Sequence, residues 1–347
     1  MIVVIIAGGS GTRLWPLSTA DYPKHLLKVN NDDRSLLQQT YDRARGLTDK
    51  IYIVSDDSHI EHVKEQLPDL PDDAFIVEPA RRGTANCIVA ALVAVGKMHD
   101  HDEPIASIHS DHYIRDLAGF DHSFKIATDV SVQQGKIVLV GVEPDRPATG
   151  FGYIEKDGVV DEANYVYGVK SFKEKPDHEL AQKYVASGNY LWNCGYFVGS
   201  INTFKSKMEA YAPDMLDTFN ALDSASPEDF NDVYLGLTSN AIDYALIEKV
   251  QDLLVVPASF DWMDLGSFSD LHKAVDSDIA GNYVKGKVEI EDVRNSYVQN
   301  SEDKPVAVIG LDNVAVINTP DGVLVVRKDM AQKVGDVSKR IAEDKAS

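Results

Sequence analysis

Cysteine is nearly missing: Cys87 and Cys194 are the only two in 347 residues. Two thiols give no disulfide framework and no zinc-ligand cluster, so a reducing cytosol is the expected compartment. Long apolar runs are missing as well. The N-terminal run at 2–7 is six residues, has no preceding positive charge and breaks at once into glycines, so it reads as a core strand rather than a signal peptide or membrane span. Positive charge is scarce: 34 Lys and Arg stand against 55 Asp and Glu, for a net charge of -21. That balance argues against a nucleic-acid or acidic-membrane partner. It also requires that any anionic substrate be met by cations concentrated locally or by a metal. No low-complexity tract and no convincing repeat is evident. The length fits one large α/β domain with a smaller appendage, in a soluble, globular protein.

What is present is concentrated at the start of the chain. Ile2 to Ala7 is an apolar, β-branched run suited to a strand buried on both faces of a parallel sheet. It gives way to Gly8, Gly9, Ser10, Gly11 and Thr12. Without β-carbons in the way, consecutive N–H groups can converge on phosphate oxygens or a base edge. The turn is neither of two familiar phosphate motifs. A Walker A loop needs Gly-Lys-Ser/Thr where this chain has Gly11-Thr12-Arg13, and a dinucleotide fingerprint fails at Leu14. Arg13 supplies a fork for oxygen pairs and Lys24, behind Pro23, a movable point charge, a combination suited to a polyphosphate.

Further along, Ser35-Leu36-Leu37-Gln38 has the form of a capping box and opens a helix. Strands at 51–54 and 75–77 with a helix at 58–67 between them predict a doubly wound, mostly parallel sheet with ligands beyond the carboxyl ends of its strands. Glu78, Arg81 and Thr84 lie where the third strand feeds a helix at 84–98, a position that presents free N–H groups to an anion or polar ring. Asp111 follows a strand at 105–109, and a carboxylate there can hold magnesium, which takes one or two carboxylates plus substrate phosphates and water. His109 and His112, without a companion cluster, read as structural. Asn193 carries an amide that can donate to one hydroxyl and accept from its neighbour, whereas Cys194 reads as packing. Short alternating strands at 284–290, 306–309, 314–317 and 323–326 predict a small β domain at 281–347, ending in a short helix or tail, behind a larger α/β domain at 1–280. Its Val-rich strands would leave a sticky face, which favours a homodimer.

The strings GGSGTRLWPLS and PKHLL closely resemble the signature of the sugar-1-phosphate nucleotidyltransferases, in particular the mannose-1-phosphate guanylyltransferases. EPARRGTA, TGFGYI, KEKP, WNCGYF, IDYALIEK and DWMDLGS extend the resemblance, in family order, over nearly the whole chain. It implies the Rossmann-like nucleotide-diphospho-sugar transferase fold, with a β-helix fragment as appendage. It implies transfer of GMP from GTP to α-D-mannose 1-phosphate, giving GDP-mannose and pyrophosphate. Carried over, Ala7, Gly8, Gly9, Ser10, Gly11, Thr12, Arg13, Lys24, Glu78, Arg81, Thr84 and Asp111 bind the nucleotide. Gly152, Glu174, Lys175 and Asn193 bind the sugar phosphate, and Asp111 and Asp264 hold Mg2+. Asp261, three residues before Asp264, competes for the second metal position. The chain departs from the family pattern at Phe151, where a tyrosine hydroxyl is lost, at Ala241, where a serine is replaced, and in the HSDH string around Asp111. Bifunctional relatives continue into a cupin domain beyond the point where this chain stops, so isomerase activity is not expected.

The implied chemistry is consistent with the residues. A sugar phosphate, with a second pKa near ~6, is already a dianion at neutral pH and needs no general base. The difficulty is bringing it to the α-phosphorus of an anionic triphosphate, so catalysis rests on alignment and charge neutralisation by Arg13, Lys24, Asp111, Lys175 and Asp264. Two alternatives stay open: a guanylyltransferase for another hexose or heptose 1-phosphate, and a non-catalytic nucleotide-sugar sensor.

Overall fold

The computed structural model describes residues 1–9, 11–30 and 32–346. It has two compact units, one of Met1–Gly8, Tyr41–His109 and Ile114–Trp262, the other of Gly9–Thr40, Ser110–Tyr113 and Met263–Ser347. Among the described residues no helix is long and apolar enough to cross a membrane.

The first unit is organised on a nine-stranded sheet. Strands β1 (Ile2–Ile6), β2 (Ile51–Asp56), β3 (Phe75–Glu78) and β4 (Pro104–His109) run parallel in the order β3-β2-β1-β4. All five residues of β1 are buried, as a continuous apolar run demands of a strand covered on both faces. The helix Gly83–Gly96 is apolar almost all round and lies in the main core with Ile2, Val4 and Ile6. The sheet continues with β5 (Val138–Val142), β6 (Gly152–Asp161), β7 (Val166–Lys173), β8 (Tyr190–Ser200) and β9 (Leu254–Pro257). Here the parallel rule ends. β8 runs antiparallel to β4, β5 and β6, so the second half of the sheet is mixed.

Two of the motif strings reach into this mixed half. Residues 191–197 lie inside β8, and Gly152 opens β6. Large residues alternating along β8 bury both of its faces, and its register against β5 slips between Val140 and Gly141. Gly195, at φ 70°, lets the strand bulge there, immediately after Asn193. Such a bulge re-aims a side chain without breaking the sheet.

The second unit ends in a parallel β-helix. Strands β10 (Tyr283–Lys285), β12 (Tyr297–Asn300) and β14 (Val314–Thr319) stack in parallel, as do β11 (Val288–Glu291) and β13 (Val306–Ile309), while β15 (Gly322–Arg327) returns antiparallel to β14. The partners Val288 and Val306, Arg294 and Asp312, Tyr297 and Ala315, and Asn300 and Asn318 are each 18 residues apart. The chain thus does contain a repeat, hidden because valine, asparagine and small residues carry it with few identities. Val293, Val298, Val308, Val314 and Val316 fill the coil, and the Asn318 amide donates to Asn300 Oδ1 at 2.9 Å. The single strand expected at 284–290 is two, because Gly286 turns the chain at φ 89°, and β12 was not anticipated. The final helix is Val334–Ala346.

The capping box at Ser35 forms as read. Ser35 Oγ accepts from the Gln38 amide at 3.1 Å and Gln38 Oε1 from the Ser35 amide at 3.0 Å, opening the helix Leu36–Leu47.

The coil geometry generates a contrast between two glycines. A β-carbon at Gly286 would run into the Asn300 carbonyl, whereas one at Gly310, at φ 67°, would meet nothing within 4 Å. Gly286→Ala is expected to lose about 2–4 kcal/mol, and Gly310→Ala about 1 kcal/mol, in urea unfolding. Equal midpoints for the two variants would contradict this reading of the coil.

Candidate active site

In the second unit, Gly9, Gly11, Thr12, Arg13, Lys24 and Asp111 line a pocket of about 220 Å3 together with Leu14, Leu265 and Gly266. Gly11 sits at φ 57°, and a β-carbon there would lie 2.6 Å from the Lys24 amide nitrogen, so the turn and the lysine approach more closely than any other residue allows. Ser18 Oγ donates to the Gly11 carbonyl and holds the turn. Ser10 lies outside the described residues.

Lys24 is the centre of this pocket. Its buried ammonium lies 2.8 Å from Asp111 Oδ2 and 3.2 Å from Asp264 Oδ1, and donates as well to the Asp264 carbonyl oxygen. Burial alone would favour the neutral amine, but the two carboxylates outweigh it and raise the Lys24 pKa. Burial likewise pushes Asp264 upward, and Lys24 reverses the sign, leaving it below the ordinary carboxylate range. The half-exposed Arg13 lies 3.7 Å from Asp264 Oδ2. Leu265 holds a φ of 48°, uncommon for a branched residue, between Asp264 and Gly266. Strain of this kind persists only where the surroundings over-determine the backbone.

Asp261 belongs to the first unit and is engaged differently. Its carboxylate accepts from the amides of Arg115 and Asp116, both at 2.9 Å, and from Arg115 Nε at 2.8 Å. These bonds hold it ionised and occupy both of its oxygens. Asp264 is the one of the two that shares an ammonium with Asp111.

The first unit gathers the residues of the sugar-phosphate motifs. The missing β-carbon of Gly152 leaves room for the Glu174 carboxylate, with Asn193 Cβ on the same side. Glu174 Oε1 pairs with Lys175 Nζ at 3.1 Å, while Glu174 Oε2 is buried with no hydrogen-bond partner among the described residues. An orphaned, buried carboxylate oxygen calls for a donor from outside the chain. Burial, and then the negative Asp243, raise the Glu174 pKa. Lys175 has a φ of 46°, a second strained backbone at a motif residue. Asn193 Nδ2 donates to Asp243 Oδ1 at 2.8 Å, and Asn193 Oδ1 accepts from the Gly195 amide at 3.0 Å, so the bulge fixes the side chain. Glu248 Oε1 accepts from the Glu174 amide at 3.0 Å.

Asp243 and Glu248 carry no role in the motif reading, although both stand in the string IDYALIEK. The signal was there, but contact with Asn193 and Glu174 across the fold is invisible in one sequence.

The residues expected on the nucleotide side of the first unit are bonded internally. Ala7 donates its amide to the Val54 carbonyl at 2.7 Å as β1 ends, and Gly8 has open space around it. Glu78 is buried and accepts from the Tyr234 hydroxyl. Arg81 Nε meets Asp56 Oδ2 at 3.0 Å, its guanidinium also meets His59, and Thr84 Oγ1 accepts from the Ile242 amide at 3.0 Å. The two cysteines are buried and free. Among the described residues no group of three or more His, Cys, Asp and Glu converges as a metal site. A cation held by Asp111 and Asp264 would take its other ligands from phosphate and water, which is magnesium's habit.

Comparison with known proteins gives two family matches. Residues 2–280 match the nucleotidyl transferase family and residues 287–341 the "MannoseP isomerase/GMP-like beta-helix domain". The chain is 35% identical to a mannose-1-phosphate guanylyltransferase of Klebsiella pneumoniae, over 96% of this chain and 72% of that protein. It is 37% identical to the alginate biosynthesis protein AlgA of Pseudomonas fluorescens, over 96% and 70%. The crystal structure titled mannose-1-phosphate geranyltransferase, from Thermus thermophilus, superimposes with a TM-score of 0.87 at 29% identity, covering 98% of this chain and 99% of that one.

The shared ammonium yields a stability test. Lys24→Met leaves two partly buried carboxylates facing each other, and should lose about 2–3 kcal/mol in chelator-treated protein. Adding Asp264→Asn to that variant should recover part of the loss. A single variant that unfolds at the wild-type midpoint would contradict the geometry.

Proposed function

The chain belongs to the nucleotidyl transferase family, among the mannose-1-phosphate guanylyltransferases, and from that membership we propose that it transfers GMP from GTP to α-D-mannose 1-phosphate, forming GDP-mannose and releasing pyrophosphate. The observation that carries the reading is the pair Asp111 and Asp264 on one lysine ammonium, in the wall of a glycine turn that bears Arg13.

Asp111 and Asp264 would hold Mg2+, which when bound neutralises phosphate charge and orients the α-phosphoryl group. Gly8, Gly9, Gly11 and Thr12 would offer backbone N–H groups to the nucleotide, and the missing β-carbons of the three glycines let phosphate oxygens reach them. Arg13 and Lys24 receive the negative charge that grows on the departing pyrophosphate. Glu78, Arg81 and Thr84 shape the loop that faces base and ribose. Their internal bonds fix its backbone, so its amides are preorganised rather than recruited.

On the acceptor side, Lys175 positions the attacking phosphate. The unpaired Glu174 oxygen accepts from a sugar hydroxyl, and Asn193 reads a neighbouring one beside Gly152. The sugar phosphate attacks as a dianion, so no residue need take its proton. The division into catalytic residues 1–280 and a β appendage at 281–347 is supported by the spans of the two family matches. Val323 and Val325, exposed on β15, support a homodimer.

Steady-state pyrophosphate release with GTP, mannose 1-phosphate and Mg2+ tests the assignment. Asp111→Asn and Asp264→Asn should each lower kcat by about a thousandfold with the fold intact, the scale expected when a charge-stabilising group is lost. Lys175→Ala should mainly raise KM for mannose 1-phosphate and leave KM for GTP within about twofold. Near-normal turnover in either aspartate variant, or no turnover of mannose 1-phosphate by the wild type, would refute the proposal.

A further inference from the structure

The second unit contains another polar cavity, of about 430 Å3, whose wall shares no residue with the glycine-turn pocket. Its floor is Lys328, which follows β15 and is only 8% exposed. Lys328 Nζ donates to Asn295 Oδ1 at 2.7 Å and to His272 Nδ1. Neither partner carries a negative charge. His272 is neutral at physiological pH, because burial and then the Lys328 ammonium push its pKa down to about 4. Its Nε2 meets Ser277 Oγ at 3.2 Å, so both ring nitrogens are engaged.

A second cation, the exposed Lys273, lies in the same wall. Among the described residues neither lysine forms an ion pair. Asp329 is the one carboxylate lining the cavity, and Arg327 clamps it through bonds of 3.0 and 2.6 Å. The remaining lining includes the side-chain amide of Asn313, whose Oδ1 accepts from Asn295 Nδ2 at 3.4 Å, and the hydroxyls of Ser269 and Ser277.

A buried ammonium without a counter-charge is costly, and this chain has 55 acidic residues from which one could have been drawn. The cavity instead lines its wall with two cations, the Asn313 amide and two hydroxyls. Asn295, at φ 46°, and Asn313, at φ 58°, line it from equivalent positions in successive coils. We propose that this cavity is a second anion site, separate from the glycine-turn pocket, that takes a phosphate-type oxyanion: inorganic phosphate, or the phosphoryl group of a small phosphomonoester. The anion supplies the missing counter-charge, accepting from Lys328 and Lys273 in charge-assisted bonds and from the amides around them. A tetrahedral dianion suits two ammonium groups better than chloride or a monocarboxylate does.

Calorimetric titration tests this on the full chain, in chelator and without nucleotide, using inorganic phosphate in one arm and glycerol 1-phosphate in the other. Wild type, Arg13→Ala, Lys273→Ala and Lys328→Met are compared, with unfolding midpoints recorded for each. Saturable binding that persists in Arg13→Ala and weakens by at least about tenfold in both Lys273→Ala and Lys328→Met is the expected result. Binding of phosphate alone assigns the free ion, and binding of the ester alone or of both assigns a phosphoryl group; each outcome supports the site. No binding below about 10 mM in either arm would overturn it. So would loss confined to Arg13→Ala, which returns the anion to the glycine turn. Weakening in Lys328→Met with a lowered midpoint, while Lys273→Ala binds normally, would make Lys328 a structural residue and overturn the proposal as well.

Discussion

The arrangement in the second unit depends on one lysine ammonium placed between two carboxylates. Each of the three groups alone is unfavourable: a buried cation is poorly solvated, and two neighbouring anions repel. The two carboxylates raise the Lys24 pKa against its burial, and Lys24 lowers that of Asp264. The backbone is bent to make this possible. Gly11 accepts the close approach of Lys24, and Leu265 takes a left-handed conformation that sets Asp264 beside it. A chain with net charge -21 that handles a triphosphate must meet it with cations or a metal, and one ammonium between two carboxylates leaves a net negative charge that suits a divalent ion.

The first unit solves the opposite problem. The hydroxyl-bearing part of the proposed sugar phosphate would need fixed acceptors, and among the described residues Glu174 keeps a buried oxygen without a partner while Lys175 and Glu248 secure the rest of the residue. The β8 bulge and Asp243 fix the Asn193 amide. Preorganisation of this kind limits the entropy lost on binding.

Local signals were legible in the sequence where local chemistry decides them. The apolar run of β1, the capping box at Ser35 and the glycine turn each follow from residues within a few positions of one another. What the sequence did not disclose depends on distant partners. The string WNCGYF carries no local sign of the strand it forms, which is buried between β4 and β5. The 18-residue coil is illegible in the sequence because few identities carry it: valine stands opposite valine and asparagine opposite asparagine at only a few positions. Gly286 divides a strand that alternation alone makes continuous. Among the site residues, Asp261 and Asp264 are indistinguishable by spacing, and only their partners, Arg115 for one and Lys24 for the other, separate them.

That separation gives the central claim its most direct measurement. Electron paramagnetic resonance titration of protein-bound Mn2+, with a non-hydrolysable GTP analogue present, should show Asp264→Asn losing the bound ion while Asp261→Asn retains it at wild-type affinity. Retention in Asp264→Asn together with loss in Asp261→Asn would contradict the account.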